Sequence, residues 1–266
     1  MKLKFLCLNL WQGGNLMDDI IEFIKKEDPD IIAFQEVYDG HDKGWDRQYR
    51  SMDVLKKELD YSYYHFAPAF LDNRDIGKME QGNAVFSKFP IKGNNIIFYD
   101  SPYREDYEES FENFPTTPRN LQQVVLNVDN KEFNIFNTQG IWGKDGKDSE
   151  RRFNMSNIII SQIKDKNNVI LAGDFNLQDT TEAMSNIEKY LRNVFKGEAE
   201  TSFNIKRKIN AGVKSFASFA RPELASGYAK AVVDMVFISK NLKIVDHKYC
   251  QVDISDHLPL LVTLEI

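Results

Sequence analysis

The chain has 266 residues, of which 42% are hydrophobic and 12% aromatic, enough for the core of one large α/β domain or two small ones. Its formal net charge of −6 excludes a uniformly basic surface, so a polyanionic substrate would need a local basic patch or metal ions. Its two cysteines cannot form a disulfide framework, and no apolar run approaches the length needed to cross a bilayer.

Strands and helices alternate through the first half of the chain. Residues 17–26 predict a helix because Ile20, Ile21 and Ile24 recur at helical spacing, and Asp28-Pro29 ends it. Residues 100–119 are polar, acidic and contain prolines, which predicts a surface loop. The other predicted elements of this half are strands at 3–10, 30–36, 61–67, 82–87 and 96–99 and a helix at 53–59.

The second half continues the alternation and contains no linker, repeat or low-complexity segment, so we expect a single domain over residues 1–266. Residues 150–164 predict an amphipathic helix. Residues 201–228 are basic with little apolar periodicity, and we expect them to line or cover another part of the molecule. The other predicted elements of this half are strands at 121–128, 133–138, 169–174, 232–238 and 258–264 and a helix at 182–194.

Polar residues lie at the ends of four buried strands and just inside another. Each one alone is also typical of a turn former, an Asx turn or a solvated surface residue. Together they predict a ligand site along one rim, where clustered carboxylates need a cation and oxygen donors suit Mg²⁺ or Mn²⁺ rather than zinc. The residues are Asn9, Glu36, Asp174, Asn176, Asp234, Asp256 and His257.

The order and the residue identities of these motifs resemble those of the endonuclease/exonuclease/phosphatase superfamily over nearly the whole chain. Its members include DNase I-like nucleases, apurinic endonucleases, neutral sphingomyelinases and inositol polyphosphate 5-phosphatases. The resemblance implies an α/β fold, a four-layer α-β-β-α sandwich of two packed mixed sheets flanked by helices. The motifs are Asn9, Gln35-Glu36, Gly82-Asn83-Ala84-Val85-Phe86-Ser87 with Phe89-Pro90-Ile91, Gly173-Asp174-Phe175-Asn176, Asp234 and Ser255-Asp256-His257.

The resemblance also implies metal-assisted hydrolysis of a phosphoester. Glu36 would be the principal Mg²⁺ ligand, with Mn²⁺ as a possible substitute. Asn9 would support the metal or the scissile phosphate, and Asp256 would contribute to the metal site.

The same resemblance implies roles for the residues around the phosphate. Asp174 would orient and deprotonate the attacking water, and Asn176 would donate to a phosphate oxygen. His257 would bond another phosphate oxygen while Asp234 holds its other ring nitrogen. Some members are described with the histidine as the base, so the choice between Asp174 and His257 stays open here.

Gln139 departs from the family pattern. Many members carry Thr-His after the strand that corresponds to residues 133–138, and that histidine is thought to stabilise or protonate the leaving group. This chain has Thr138-Gln139 instead, and a glutamine can donate a hydrogen bond but cannot supply a proton at neutral pH. The departure implies a slower enzyme, a substrate with a good leaving group, or metal-bound water that serves in place of the histidine.

Substrate contacts are less clearly marked. Arg119 is either phosphate-facing or a solvated arginine at a strand start, and Trp142, like Trp45, either stacks on a base or packs at the rim. Basic and aromatic residues of the 201–230 region suit a phosphate-rich or single-stranded substrate, or form a solvated face. They are Lys206, Arg207, Lys208, Lys214, Arg221 and Lys230 with Phe203, Phe216, Phe219 and Tyr228. His41, His65 and His247 have no motif context and are predicted to be structural.

These features predict a Mg²⁺-dependent phosphodiesterase or nuclease. Two alternatives remain: a small-molecule or lipid phosphoesterase of the inositol phosphate or sphingomyelinase kind, and a weakly active binding protein on the same fold, suggested by Gln139. The negative net charge of the chain disfavours a nuclease, because nucleic acids are polyanions. The first residues predict a strand rather than a signal peptide, so we expect a soluble, cytoplasmic and monomeric protein.

Overall fold

The computed structural model describes residues 1–108, 110, 112–143, 145–211 and 230–266. The strands are β1 (Lys2–Asn9), β2 (Ile31–Asp39), β3 (Tyr63–Arg74), β4 (Gly77–Ser87), β5 (Ile91–Phe98), β6 (Arg104–Tyr107), β7 (Asn120–Val128), β8 (Lys131–Gln139), β9 (Val169–Asp174), β10 (Leu191–Asn193), β11 (Asp234–Ser239), β12 (Lys243–Tyr249) and β13 (Leu260–Glu265). The helices are α1 (Met17–Glu27), α2 (Ser51–Glu58), α3 (Glu150–Ile163), α4 (Glu182–Glu188) and α5 (Ile205–Ala211), with 3₁₀ turns at Arg47–Arg50 and Phe114–Thr116.

The strands form two mixed sheets. The seven-stranded sheet has the order β12-β13-β1-β2-β4-β3-β6, and the six-stranded sheet has the order β10-β11-β9-β8-β7-β5. Parallel pairing joins β1 to β2, β3 to β6, and β8 to β9, and the other pairs are antiparallel. Both sheets are therefore mixed, as predicted.

The sheets pack face to face and carry helices on their outer faces. Phe5 and Val85 of one sheet and Ile135 and Val236 of the other meet in a buried cluster between the sheets. A second cluster joins α1 and α2 to the outer face of the seven-stranded sheet, and a third joins α3 and α4 to the outer face of the six-stranded sheet. Each fully buried large apolar side chain contributes roughly 1.5–3 kcal/mol of transfer free energy. The predicted four-layer α-β-β-α sandwich is confirmed.

Strand register determines which polar residues meet. In the six-stranded sheet, Asp174 of β9 lies opposite Gln139 of β8 on one side and opposite Asp234 of β11 on the other. In the seven-stranded sheet, Asn9 at the end of β1 lies opposite Gln35 of β2, the residue before Glu36. Both sheets therefore present their polar strand ends at the same rim.

Two predicted elements were wrong in part, and two elements were not predicted. The region 100–119, predicted as a loop, contains β6, whose Tyr107 is buried against Phe70. The helix predicted over 182–194 ends at Glu188, because residues 191–193 alternate buried and exposed side chains and pair with β11 as a short strand. The exposed strand β12 and helix α5 were not predicted.

The basic region 201–228 is described only in part. Its first residues enter the fold, since Phe203 pairs with His257 in an isolated antiparallel bridge and α5 follows. The predictions for Lys214, Phe216, Phe219, Arg221 and Tyr228 lie outside the described residues.

Candidate functional site

Seven of the predicted polar residues gather at the shared rim, and we call them the rim cluster. Asn9 and Glu36 come from the seven-stranded sheet, as does the loop that leads into β13 with Asp256 and His257. The six-stranded sheet supplies the other three. The rim cluster comprises Asn9, Glu36, Gln139, Asp174, Asp234, Asp256 and His257.

The Asn9 side chain bridges the two sheets. Its Nδ2 donates to Glu36 Oε1 at 3.0 Å and to Asp174 Oδ2 at 3.2 Å, and its Oδ1 accepts from the Trp11 backbone N–H at 2.9 Å. Asn9 is 1% exposed, so its amide has no water to replace these partners. The buried amide therefore holds two carboxylates from different sheets side by side.

Glu36 reaches the rim through an irregular backbone. Strand β2 changes register between Phe34 and Val37, and Glu36 itself has a left-handed φ of 56°. A non-glycine residue held there costs on the order of 1–3 kcal/mol, and such strain collects at functional sites. The bulge is stabilised by the Gln12 backbone N–H, which donates to Glu36 Oε2 at 2.6 Å. It turns a side chain of the buried strand towards the rim.

Asp174 is buried at the end of β9. Its Oδ1 accepts from the Asn176 backbone N–H at 3.0 Å, which is an Asx turn, so the turn predicted as an alternative to a functional role is present at the rim itself. Burial raises the pKa of Asp174 to about 6, with Asp234 and Glu36 adding to the rise and the His257 charge opposing it. A carboxyl with this pKa is suited to exchanging protons near neutral pH.

His257 and Asp234 form a buried pair. Asp234 Oδ2 lies 2.8 Å from His257 Nδ1 and also accepts from Ser202 Oγ at 2.7 Å. Burial alone would lower the pKa of His257, but Asp234 and Asp256 outweigh it and raise the pKa to about 9. The Phe203 ring packs edge-on against the imidazole with centroids 4.8 Å apart. The ring is thus held as an imidazolium with Nδ1 committed to Asp234.

Asp256 lies on the other side of His257. Its Oδ2 accepts from Lys208 Nζ at 2.8 Å, and its Oδ1 lies 3.8 Å from His257 Nε2. Burial would raise the pKa of Asp256, yet the neighbouring Lys208 and His257 charges lower it below its ordinary value. Asp256 Oδ1 is buried and has no hydrogen-bond partner among the described residues. An acceptor in that state is open to a ligand.

Gln139 and Arg119 extend the cluster on the Glu36 side. Arg119 Nη1 donates to Gln139 Oε1, which fixes the amide so that its Nε2 donates to Glu36 Oε1 at 2.8 Å. Arg119 is 6% exposed, and in the described part of the chain its Nε has no hydrogen-bond partner. The alternative of a solvated arginine was therefore wrong, and Arg119 is a buried cation next to the predicted leaving-group position.

The remaining predicted contacts lie at the margin of the rim cluster or away from it. Asn176 Nδ2 donates to the Gly140 carbonyl at 3.1 Å, so the amide ties the loops after β8 and β9 together. The Trp142 ring is half-buried, with its centroid 5.7 Å from that of Phe114. Trp45 packs across Gly77 at the turn between β3 and β4.

The other histidines have partners outside the rim cluster or lie on the surface. Gln122 Nε2 lies 2.8 Å from His65 Nδ1, and His247 Nε2 lies 2.7 Å from Glu198 Oε1. His41 is exposed. Nothing in these surroundings connects them with the predicted site.

Sequence reasoning missed Ser202, Gln12 and the specific place of Lys208. Ser202 has no motif, and Gln12 contributes only its backbone N–H. In the sequence Lys208 is one charge among several in the basic region 201–230. Its contact with Asp256 depends on how α5 docks, and no local pattern in the sequence shows that.

The donor set fits a divalent metal ion. Ligand atoms of Asp174, Asp234 and His257 lie within 4.8 Å of one another, but His257 Nδ1 and Asp234 Oδ2 are already bonded to each other. Glu36 and Asp174 make no ion pair with any described residue and accept only from neutral amides. Two buried or half-buried carboxylates held together by neutral donors are the stronger candidate for a metal position.

The sequence profile of the Endonuclease/Exonuclease/phosphatase family matches residues 6–257, a stretch that contains the whole rim cluster. The chain belongs to this family. Family members hydrolyse phosphoesters, and the predicted resemblance is confirmed. No curated protein sequence matches the chain.

Solved structures of the family share the fold at low sequence identity. An endonuclease/exonuclease/phosphatase from Beutenbergia cavernae is 20% identical with a TM-score of 0.72, over 100% of this chain and 72% of that one. The Bacteroides thetaiotaomicron mannosyl-6-phosphatase is 16% identical with a TM-score of 0.67, over 99% and 100%. TDP2 of D. rerio in complex with a single-strand DNA product is 15% identical with a TM-score of 0.69, over 100% and 99%.

These neighbours show the architecture and leave the substrate of this chain open. Within the described residues, no helix combines the length and apolarity that crossing a bilayer would require.

Proposed function

We propose that the protein is a Mg²⁺-dependent phosphodiesterase, with Mn²⁺ as a possible substitute. The observation that carries the proposal is that one amide holds two carboxylates side by side. Asn9 Nδ2 donates to Glu36 at 3.0 Å and to Asp174 at 3.2 Å. Glu36 would hold the metal ion beside Asp174, and Asn9 would support it by positioning the two carboxylates through its Nδ2. The bound ion would neutralise negative charge that develops on the phosphoryl oxygen.

Asp174 is the proposed general base. It is buried, it is held by the Asn176 backbone N–H, and its pKa of about 6 leaves it ionised at neutral pH but still able to take a proton from water. His257 is less suited to that task because its Nδ1 is bonded to Asp234 and its charge is retained. Of the two bases that the sequence left open, the geometry favours Asp174.

His257 is the proposed phosphate-binding residue. Asp234 occupies Nδ1 and leaves Nε2 as the donor for a non-bridging phosphate oxygen. Ser202 bonds the same Asp234 oxygen and so restricts its position. An imidazolium held in this way would add a positive charge that favours binding of the phosphate.

Gln139 and Arg119 are the proposed contacts for the leaving group. The Gln139 amide can donate a hydrogen bond but no proton, and the Arg119 guanidinium beside it adds a fixed positive charge. Asn176 would donate to the phosphate from the loop after β9. Trp142 lies in the loop after β8, and its role as a substrate contact stays a prediction.

A phosphomonoesterase acting on a small molecule is the second candidate. The net charge of −6 disfavours a long nucleic acid, and one structural neighbour is a mannosyl-6-phosphatase, whereas another binds single-strand DNA. Cytoplasmic location and a monomeric state stay predictions.

The test is metal-dependent turnover of two model substrates. We expect release of p-nitrophenol from bis-p-nitrophenyl phosphate with Mg²⁺ or Mn²⁺, a lower rate with p-nitrophenyl phosphate, and none with excess EDTA. A faster rate on the monoester would move the assignment to the second candidate. Absence of metal-dependent turnover on both, together with micromolar binding of a phosphoester, would show a binding protein instead.

Asp174→Asn tests the base within the same assay. We expect kcat to fall by roughly 10²–10⁴, the usual contribution of a general base, with the fold intact by circular dichroism. Asp129→Asn is the matched control, because it makes the same change in the exposed turn between β7 and β8, at the far end of β8 from Gln139. Full activity in Asp174→Asn would refute the assigned role.

A further inference from the structure

Lys208 lies against the rim cluster as an ordered charge. Its Nζ donates to Asp256 Oδ2 at 2.8 Å and lies 4.4 Å from the centroid of the Phe203 ring, which in turn packs on His257. The Lys208 side chain is 26% exposed and that of Asp256 is 7% exposed. The ammonium is therefore held between a buried carboxylate and an aromatic face, and both interactions favour a cation.

The rim cluster divides into two halves with different charge balance. Glu36 and Asp174 accept only from neutral donors within the described residues. Asp234 and Asp256 face cations that the chain itself supplies, because His257 contacts both and Lys208 contacts Asp256. A ring nitrogen of His257 lies within 4.8 Å of an Asp174 oxygen, but neither Asp174 nor Glu36 makes an ion pair with a described residue, so this half leaves negative charge for a metal to neutralise. Asp256, in contrast, already contacts two protein cations.

We propose that the Lys208 ammonium takes the place of a second divalent cation at Asp256, so that the site binds a single metal ion on the Glu36 side. The inference rests on the proposed metal-dependent function. It assigns Asp256 a new role: rather than ligating the metal, Asp256 positions Lys208 beside the phosphate-binding His257. A divalent ion at Asp256 would have to displace the ammonium or share its space, and both are unfavourable because like charges repel.

The sharpest readout is the number of metal ions bound, independent of activity. Mn²⁺ is titrated into the full chain, and the free ion is followed by electron paramagnetic resonance. We expect one Mn²⁺ per wild-type chain and two per Lys208→Met chain, because methionine keeps the packing on Phe203 and removes the charge. Two Mn²⁺ on the wild type would overturn the proposal and leave the proposed function standing.

Two further variants locate the second ion and control for the helix. Lys208→Met combined with Asp256→Asn should return the count to one, because the carboxylate that receives the ion is gone. The Arg207→Met chain should bind one Mn²⁺. This variant removes one positive charge from the same helix, but Arg207 pairs with Asp253, at 2.6 and 2.9 Å, and not with Asp256.

The other outcomes are equally decisive. One ion on Lys208→Met, with circular dichroism matching the wild type, would refute the replacement of a metal by Lys208. If Lys208→Met does not fold, Lys208→Gln carries the same expectation. No Mn²⁺ on any chain would overturn the proposed metal dependence and this inference together.

Discussion

The imidazole of His257 lies between two carboxylates, with Asp234 Oδ2 2.8 Å from Nδ1 and Asp256 Oδ1 3.8 Å from Nε2. In the metal-free protein we expect its pKa near the value of about 9 that these charges impose against burial. Because the folded pKa is above the unfolded value, the pair's contribution to stability is complete below pH of roughly 6.5 and is lost as pH rises through about 9.

Nuclear magnetic resonance of the imidazole nitrogens, with EDTA present, checks this directly. Asp234→Asn should lower the His257 pKa, since burial then acts with one carboxylate fewer to oppose it. Urea unfolding at pH 6.5 and pH 9.5 should show the wild type losing more stability over this range than Asp234→Asn. A wild-type His257 that titrates below pH 7 would contradict the assignment of an imidazolium at neutral pH.

Gln139 is the residue at which the chain departs from its family, and its effect should depend on the leaving group. Gln139→His supplies a group that can donate a proton, so we expect a higher kcat on a phenyl or alkyl phosphodiester, up to about 10²-fold. With the p-nitrophenyl ester, whose leaving group needs little protonation, the rate should change little.

Gln139→Ala is the control, because it removes the bonds to Arg119 and Glu36 without adding an acid. It should lower the rate on both esters. An equal or lower rate of Gln139→His on the poor leaving group would count against a missing acid.

At the scale of elements, Gly173 shows how closely β8 and β9 approach beneath the rim. A Cβ at this position would lie 1.9 Å from the Thr138 carbonyl oxygen, and the φ of 153° is one that only glycine adopts readily. Gly173→Ala should therefore lower the free energy of unfolding by about 2–4 kcal/mol, because overlap and backbone strain add.

Urea denaturation measures that loss. Gly93→Ala in β5 is the matched control, since a Cβ there meets nothing within 4 Å. Its free energy of unfolding should change by no more than about 1 kcal/mol. Similar losses in the two variants would show that the close approach of β8 and β9 has no energetic effect.

The elements that the sequence predicted are those with long buried faces. Strands such as β7, β8 and β9 present continuous or alternating apolar residues, so their type and extent follow from local pattern. Strands β6, β10 and β12 lie at sheet edges or have solvated faces, and their pairing depends on neighbours that are remote in sequence.

The same division applies to the rim cluster. Asp174 and His257 stand in recognisable motifs after or before buried strands, so sequence could propose them. Lys208, Ser202 and the burial of Arg119 follow from how α5 and the two sheets dock, which no single segment encodes. Sequence therefore predicted the reacting groups better than the residues that position them.

At the scale of the whole molecule, Asn137 ties the two sheets together beneath the rim. Its Nδ2 donates to the carbonyls of Phe34 and Ala84 at 2.9 and 3.1 Å, and its Oδ1 accepts from Gln35 Nε2 at 2.6 Å. Asn137→Ala removes these hydrogen bonds from buried groups, so we expect a loss of about 2–4 kcal/mol in the free energy of unfolding.

Activity should fall as well, because Gln35 precedes Glu36 and the hydrogen bonds of Asn137 help to set the position of Glu36. Asn127→Ala in β7 is the control, since its half-buried side chain makes no hydrogen bond in the described part of the chain. The measurements are urea unfolding and turnover of bis-p-nitrophenyl phosphate. An Asn137→Ala variant as stable as the wild type would show that the Asn137 hydrogen bonds do not hold the two sheets together.

The pairing of β1 with both β2 and β13 has a consequence for the growing chain. Asn9 and Glu36 are synthesised early, but β1 keeps an open edge until residues 260–265 have been made. The imidazole of His257 and its Asp256 neighbour also come late, just before that strand. During translation Glu36 therefore precedes both Asp174, its neighbour at the proposed metal position, and His257. A nascent chain on the ribosome would acquire the proposed metal position only after Asp174 has been made, and the phosphate-binding His257 later still.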